Sequence, residues 1–178
     1  MITDRQTLRL HALLPCMPDV DSLELLTELS TQHPWLKTAV DELARIPLPQ
    51  WQGEYTRLFV SGFPNTLAPP YESVHRHRSM FGPVVDALSA LYQSAGLAAE
   101  QMPADYLGVE LECAAFLSDS RSPEAAILRQ RLWREHLGKW LPAFAADLRN
   151  HSRLQIYRSW GDRLSLLCAT TEKETAYA

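Results

Sequence analysis

The chain has 178 residues, a length that fits one domain or two very small ones. Hydrophobic residues make up 46% and charged residues 21%, which is the composition of a folded globular protein and excludes a disordered polymer. The formal net charge of −4 argues against nucleic acid as the main partner, because phosphate binding requires a clustered Lys and Arg surface.

The three cysteines, Cys16, Cys113 and Cys168, are far apart and follow no metal-ligand spacing. Their apolar neighbours predict buried, reduced thiols and therefore a reducing compartment, most simply the cytoplasm. Residues 1–5 lack a basic region followed by an apolar run, so no secretory signal is expected. No segment approaches the roughly 18 apolar residues that span a bilayer, so no stable membrane insertion is expected.

Helical signals dominate the first 60 residues. Residues 19–22 form a capping segment before leucines at helical spacing, and residues 34–46 repeat the pattern behind a proline. Aromatic and leucine residues at 51–59 predict a further helix face. Residues 61–70 contain three prolines and a glycine, which predicts a loop that ends in a stiff Pro-Pro pair.

The second half continues with helices that begin at prolines. Pro83 is expected to open a helix that ends at Gly96, and Pro103 to open another that places Asp105 in its first turn. Residues 122–124 form the next start signal.

The last third of the chain keeps the helical period. Gly138 and Pro142 are expected to break or kink one long stretch into two helices, and residues 156–167 form the last helix. The chain is therefore predicted to be all-α, a single-domain helical bundle of roughly eight or nine helices. Residues 1–170 form that domain, and residues 171–178 form a frayed C-terminal tail.

The first candidate site begins where the stiff loop meets a helix. Tyr71 offers a flat contact area, and Glu72 offers an acceptor for an arginine or a lysine. The alternative is that Tyr71 packs inward while Glu72 or Ser73 caps the helix. The imidazoles of His75 and His77 point to different faces of a helix, so no metal site is expected.

The second candidate site uses the spacing of Asp105, Gly108 and Glu112. At i, i+3 and i+7 they would form one helix stripe, where two acids could hold a basic peptide. Gly108 costs about 1 kcal/mol relative to alanine inside a helix, which indicates the close approach of another backbone. The alternative is a solvated acidic face beside a close helix crossing.

Together these segments resemble the TorD/DmsD/NarJ family of redox-enzyme maturation chaperones. The resemblance is carried by residues 55–59 (YTRLF), 69–74 (PPYESV) and 103–112 (PADYLGVELE). The helical spacing of apolar residues agrees with the family from about Leu8 to Leu167. It implies a cytoplasmic, TorD-like all-α domain without catalytic activity or a cofactor of its own. The implied partners are the N-terminal twin-arginine leader and the catalytic subunit of a molybdenum-cofactor oxidoreductase, held until its cofactor is inserted and assembly is complete.

The resemblance also implies which residues bind the leader. Candidate leader-binding residues are Tyr71, Glu72, Ser73, Asp105, Tyr106, Gly108 and Glu112, with Tyr55, Phe59, His75 and Arg76 as further candidates. Tyr106 stands where the family commonly has histidine, so a tyrosine hydroxyl would replace an imidazole contact. A leader's guanidiniums would meet the carboxylates, and its apolar stretch would lie in a groove.

Two other functions stay open. One is a NarJ-like assembly factor for a membrane-anchored oxidoreductase, which differs only in the partner's leader. The other is a small guanine-nucleotide-binding helical protein that uses Asp105, His75 and Arg76, although no phosphate-cradling loop is present. The chain is compatible with a monomer and with a domain-swapped homodimer.

Overall fold

The computed structural model describes residues 4–62 and 65–176, with side chains as far as Thr171. Phe63 and Pro64 of the predicted loop, and residues 177–178 of the predicted tail, lie outside the described residues. The helices are α1 (Arg5–Leu13), α2 (Ser22–Ser30), α3 (Lys37–Leu43), α4 (Leu48–Tyr55), α5 (Glu72–His77), α6 (Pro83–Ser94), α7 (Leu107–Asp119), α8 (Pro123–Arg131), α9 (Gly138–His151) and α10 (Gln155–Ala176). A 3₁₀ turn (Pro34–Leu36) leads into α3, and π-helical turns continue α4 (Thr56–Val60) and join α8 to α9 (Leu132–Leu137).

In the described part of the chain these elements form nine continuous helical stretches and no strand. The predicted all-α class with eight or nine helices is therefore confirmed. None of the helices among those residues is long and apolar enough to cross a membrane.

The stretch from α8 to α9 is continuous, so the predicted break at Gly138 and Pro142 is wrong, whereas the alternative, a kink, stays a prediction. The backbone N–H of Gly138 bonds the carbonyl of Trp133 in the π-helical turn, and Pro142 lies inside α9. A Cβ added at Gly138 would lie 2.7 Å from the Trp133 carbonyl oxygen. The glycine therefore permits the wide turn to pass without ending the helix.

The last helix extends further than its apolar pattern predicts. α10 runs to Ala176, so residues 171–176 are helical where a frayed tail was expected. Thr171 is buried, and the hydroxyls of Thr170 and Thr171 donate to the carbonyls four residues earlier, each at 2.9 Å. One face of the helix is thus still packed at the point where the sequence becomes polar.

The prediction that all three cysteines are buried is wrong for one of them. Cys113 and Cys168 are buried, whereas Cys16 is exposed. Cys16 follows Pro15 in the connection between α1 and α2. Its apolar neighbours in sequence were therefore a poor guide to its burial.

The described residues fall into two compact units. The first draws on Met1–Pro15, Pro70–Ala143 and Leu164–Ala178, and the second on Cys16–Pro69 and Phe144–Arg163. Each unit combines segments that are distant in sequence. A single domain over residues 1–170 stays a prediction.

In the first unit, α1 packs along α7. Leu8 of α1 and Leu107 and Leu111 of α7 are fully buried. At Gly108 the two backbones approach closely, because an added Cβ would lie 3.1 Å from the carbonyl oxygen of Ala12. This contact is the close backbone approach that the glycine predicts.

In the second unit, aromatic rings form the core. Phe59 packs edge-on against Tyr157 at 5.1 Å between ring centroids, and Phe144 packs edge-on against Trp160 at 5.4 Å. The indole N–H of Trp51 donates to the buried hydroxyl of Tyr157 at 3.0 Å. Edge-to-face packing of this kind stabilises aromatic pairs beyond the area they bury.

Candidate functional site

The two segments that the sequence singles out meet in the first unit. Tyr71 and Tyr106 form an isolated antiparallel bridge, with their ring centroids 5.5 Å apart. The N–H of Glu72 donates to the carbonyl of Asp105, and the N–H of Leu107 donates to the carbonyl of Pro70, each at 3.0 Å. Residues more than 30 positions apart thus form one structural unit, which we call the tyrosine bridge (Pro70–Glu72 with Asp105–Leu107).

The position of Asp105 differs from the prediction. α7 begins at Leu107, not at Pro103, because Pro103–Tyr106 form a turn closed by the Tyr106 N–H and the Pro103 carbonyl at 3.0 Å. Asp105 is therefore neither in the first turn of a helix nor on one stripe with Gly108 and Glu112. The extended backbone of Tyr106, with φ −73° and ψ 132°, is used for the bridge instead.

Asp105 caps the helix that follows the first motif. Its Oδ2 accepts the backbone N–H of Ser73 at 3.0 Å, at the N-terminus of α5, where no side chain of the preceding residue provides a cap. Both Asp105 and Ser73 are buried. A carboxylate is favourable at this position because the first N–H groups of a helix have no helical partner. The other oxygen of Asp105, Oδ1, is buried without a partner among the described residues.

Glu72 is fully buried and is satisfied within the protein. One carboxylate oxygen lies 2.9 Å from Nδ1 of His136, on the π-helical turn, and the other pairs with Arg76 one turn further along α5. Arg76 also donates to the carbonyl of Glu135 at 3.2 Å. In this conformation Glu72 ties α5 to the π-helical turn and offers no free acceptor to a ligand.

Glu110 completes the buried acidic cluster, and the sequence analysis missed it. Burial raises the pKa of Glu110 well above its ordinary value of 4.5. The negative charges of Glu72 and Asp105 raise that pKa further, whereas the indole N–H of Trp140 and the cation of Arg76 act in the opposite direction. The environment therefore favours the neutral, protonated form. A signal was present, because Glu110 lies three residues after Leu107, on the apolar face of α7.

The same environment suppresses ionisation of two neighbours. Burial, and then the charge of Glu110, raise the pKa of the Tyr92 phenol, whose hydroxyl donates to the Ala104 carbonyl at 2.7 Å. Burial and the charge of Glu110 also raise the pKa of Cys113 to about 12. Cys113 is thus an inert thiol rather than a nucleophile.

Tyr106 and Gly108 are packed together beneath the bridge. The Tyr106 hydroxyl donates to the carbonyl of Pro15 at 2.6 Å, and its ring lies 2.8 Å from a Cβ added at Gly108. Tyr106 is buried, whereas Tyr71 is half-buried. Burial and the charge of Asp105 raise the pKa of Tyr71. Tyr71 is therefore the partly accessible tyrosine of the bridge.

The other predicted residues have different surroundings. Glu112 is exposed on α7 and pairs with Arg9 of α1 at 3.3 Å. His75 is half-buried, with its ring 5.2 Å from that of Trp140. Tyr55 and Phe59 belong to the second unit, where their rings pack at 5.1 Å. The structure thus joins Tyr71, Glu72, Ser73, Asp105, Tyr106 and Gly108, and sets Glu112 apart on the surface.

The comparisons with known proteins define first a class and then a family. The fold is similar to the crystal structure of a protein described as a redox enzyme maturation protein from Archaeoglobus fulgidus, with a TM-score of 0.70, 26% sequence identity and 93% coverage of both chains. The family model of the nitrate reductase delta subunit matches residues 23–146. The chain therefore belongs to this family of redox enzyme maturation chaperones, which confirms the resemblance. The comparison with curated proteins found no match.

Proposed function

We propose that this chain is a cytoplasmic maturation chaperone that binds the N-terminal twin-arginine leader of a molybdenum-cofactor oxidoreductase. It would hold the catalytic subunit until cofactor insertion and assembly are complete, without catalysing a reaction itself. The observation that carries the proposal is the tyrosine bridge, which joins the two segments of the family resemblance in a chain that belongs to the family.

Burial decides which residues can meet a leader directly. Tyr71 and Glu112 are accessible, so they are the proposed first contacts for the leader's apolar stretch and for one of its arginines. The Arg9–Glu112 pair is about half exposed on both sides, and exposed pairs contribute only about 0–1 kcal/mol. A leader guanidinium can therefore replace Arg9 at little cost.

Glu72, Ser73 and Asp105 support the site rather than forming its surface. Asp105 holds the N-terminus of α5, and Glu72 holds α5 against the π-helical turn, so both keep Tyr71 in place. Asp105 Oδ1 and the Ser73 hydroxyl are buried without a hydrogen-bond partner among the described residues, and a leader reaches them only if the bridge opens. Most of the affinity is expected from the apolar stretch, because exposed ion pairs are weak.

Calorimetric titration with synthetic leaders tests the proposal. Leaders of the molybdoenzymes encoded in the same genome are compared with versions in which Lys-Lys replaces the two arginines, because lysine cannot form the bidentate pair. Micromolar or tighter binding to one leader, weakened in Tyr71→Ala and Glu112→Gln, is expected. Glu100→Gln is the matched control, because Glu100 is exposed and lies outside the helices. Failure of every leader to bind a folded protein would contradict the proposal.

The family's description favours a second form of the same function. A nitrate reductase delta subunit family is consistent with an assembly factor whose client is anchored at the membrane. In that case the bound segment is a related, non-exported N-terminus. Binding of such a segment, with unchanged affinity after Lys-Lys replacement, would favour the assembly factor over the leader-binding chaperone.

A further inference from the structure

The helix that follows the first half of the tyrosine bridge is held in the first unit by polar side chains. The buried residues of α5 are Glu72 and Ser73, and its one aliphatic residue, Val74, is half-buried. The next helix, α6, buries Val84, Leu88, Leu91 and Tyr92. Because apolar burial supplies most of the free energy that fixes a helix to a core, α5 is expected to separate from the core far more readily than α6.

The closed position of α5 leaves buried polar atoms without a hydrogen bond. Oδ2 of Asp105 accepts the Ser73 N–H at 3.0 Å, but Asp105 Oδ1 and the Ser73 hydroxyl have no partner among the described residues. Asp105 is 1% exposed and Ser73 is 0% exposed. A polar atom buried in this way costs free energy, which contact with water or with a polar ligand returns. These two atoms therefore favour an open position of α5.

Two carboxyl groups lie close to α5 on segments that do not belong to it. Asp105 stands in the tyrosine bridge, and Glu110 is fully buried on α7. After burial itself, the largest influence on the pKa of Glu110 is the negative charge of Glu72, while Arg76 acts in the opposite direction, so Glu110 lies close to α5. α7 is fixed by apolar residues such as the fully buried Leu111. Both carboxyl groups therefore stay in place when α5 moves.

The segments at the two ends of α5 allow it to move as one piece. The chain enters α5 through the extended Tyr71 and leaves it through Arg78, which is left-handed with φ 56°. In the loop that follows, Phe81 is left-handed with φ 69°, and Gly82 has φ 99°. A bulky side chain rarely adopts this conformation, so Phe81 is strained, and a change in the loop releases the strain. Residues 78–82 are all exposed, so little packing against the core opposes that change.

We propose that residues 71–78 form a gate that opens in the otherwise folded protein and offers Asp105 and Glu110 to a cationic ligand. Opening breaks the two hydrogen bonds from α5 to Asp105 and the contact between Glu72 and His136, and it exposes no buried apolar side chain of α5. Under the proposed function, on which this part of the inference rests, the ligand is a guanidinium of the leader, because a carboxylate accepts two of its N–H groups at once.

Native-state hydrogen exchange, followed by NMR, tests the gate in the free protein. The N–H groups of Glu72 and Ser73 bond to Asp105, and that of Arg78 closes the last turn of α5. These three groups are expected to share one protection factor, about a hundredfold below those of the buried part of α7 and only weakly dependent on urea, because they open together and expose little surface. If Arg78 alone exchanges fast, α5 only frays at its end, and if all three are as protected as α7, it stays closed. Either result would overturn the gate.

A serine substitution tests the physical cause of opening. Ser73→Ala removes the unpartnered hydroxyl and keeps the N–H that bonds to Asp105, so it should raise the protection of the same three groups about fivefold. Ser89→Ala is the matched control, because the Ser89 hydroxyl donates to the Val85 carbonyl on α6 at 2.8 Å, and it should leave the gate unchanged. Unchanged or lower protection in a Ser73→Ala variant that remains folded by circular dichroism would refute the assigned cause.

Adding a leader separates this inference from the proposed function. A leader that binds the open form should make the Glu72 and Ser73 N–H groups exchange faster, whereas a ligand of the closed form protects them. Binding in calorimetry together with stronger protection would overturn the cationic site and leave the proposed function standing. Failure of every leader to bind would contradict the proposed function and remove this ligand, while exchange in the free protein decides the gate by itself.

Discussion

Replacing Glu110 by glutamine should stabilise the protein as the pH rises above the ordinary glutamate pKa. In the unfolded chain Glu110 titrates near 4.5, whereas burial and the charges of Glu72 and Asp105 raise its pKa well above that value in the folded protein. Above pH 4.5 the unfolded state therefore releases a proton that the folded state retains. By linkage, the free energy of unfolding falls as the pH rises through this window, until the raised folded pKa is reached.

The size of the effect follows from the proton count. Each pH unit inside the window lowers the wild-type free energy of unfolding by about 1.4 kcal/mol, because the folded state binds one proton more than the unfolded state. Glutamine cannot ionise, and its amide is similar in shape, so Glu110→Gln should remove this slope.

Urea unfolding at pH 5, 6, 7 and 8 measures the difference. The stability of Glu110→Gln relative to wild type should grow from pH 5 upward. Glu112→Gln is the control two residues away, on the exposed face of α7, and it should follow the wild-type pH dependence. Parallel pH profiles for Glu110→Gln and wild type, or a variant that is less stable at every pH, would refute the assignment of a protonated buried carboxyl.

Three further predictions concern packing, capping and accessibility. Gly108→Ala should lower the free energy of unfolding by about 1–3 kcal/mol in chemical denaturation, because the added Cβ has no room, even though alanine has the higher helix propensity. Gly53→Ala is the control and should be neutral or stabilising, because a Cβ there would have nothing within 4 Å. Asp105→Ala should lower the free energy of unfolding by about 1–2 kcal/mol, because the cap of α5 is lost, and Asp105→Asn should lower it less, because the amide oxygen still accepts the Ser73 N–H. Equal destabilisation by the two variants in thermal unfolding would argue against the cap. A thiol reagent should modify Cys16 rapidly in the folded protein and Cys113 only in urea, with the labelled cysteines counted by mass spectrometry. Rapid labelling of both in the folded protein would contradict the burial of Cys113.

The tyrosine bridge shows where sequence reasoning succeeds and where it stops. Unusual local chemistry marked both segments, but the same chemistry was compatible with a binding edge and with a capped helix. The choice depends on which residues meet across more than 30 positions. Asp105 caps α5 rather than its own helix, and such a partner cannot be read from local spacing.

Gly108 shows what local sequence can predict about the site, and Glu110 shows what it cannot. A glycine inside a helix is locally costly, so the sequence predicted a close backbone approach, and the Ala12 carbonyl supplies it. A glutamate on an apolar helix face is equally anomalous, but its protonation depends on Glu72, Asp105 and Trp140, which are brought by other segments.

The sequence by itself determined the all-α class, the approximate number of helices, the family and the two segments of the candidate site, because these follow from local periodicity, capping and motif order. Only the tertiary structure decided that Glu72 and Asp105 are buried supports, that Tyr71 is the accessible edge, and that Glu110 joins them. The physical reason is that burial and electrostatic environment are set by neighbours distant along the chain, whereas helix formation is set largely by residues within one or two turns.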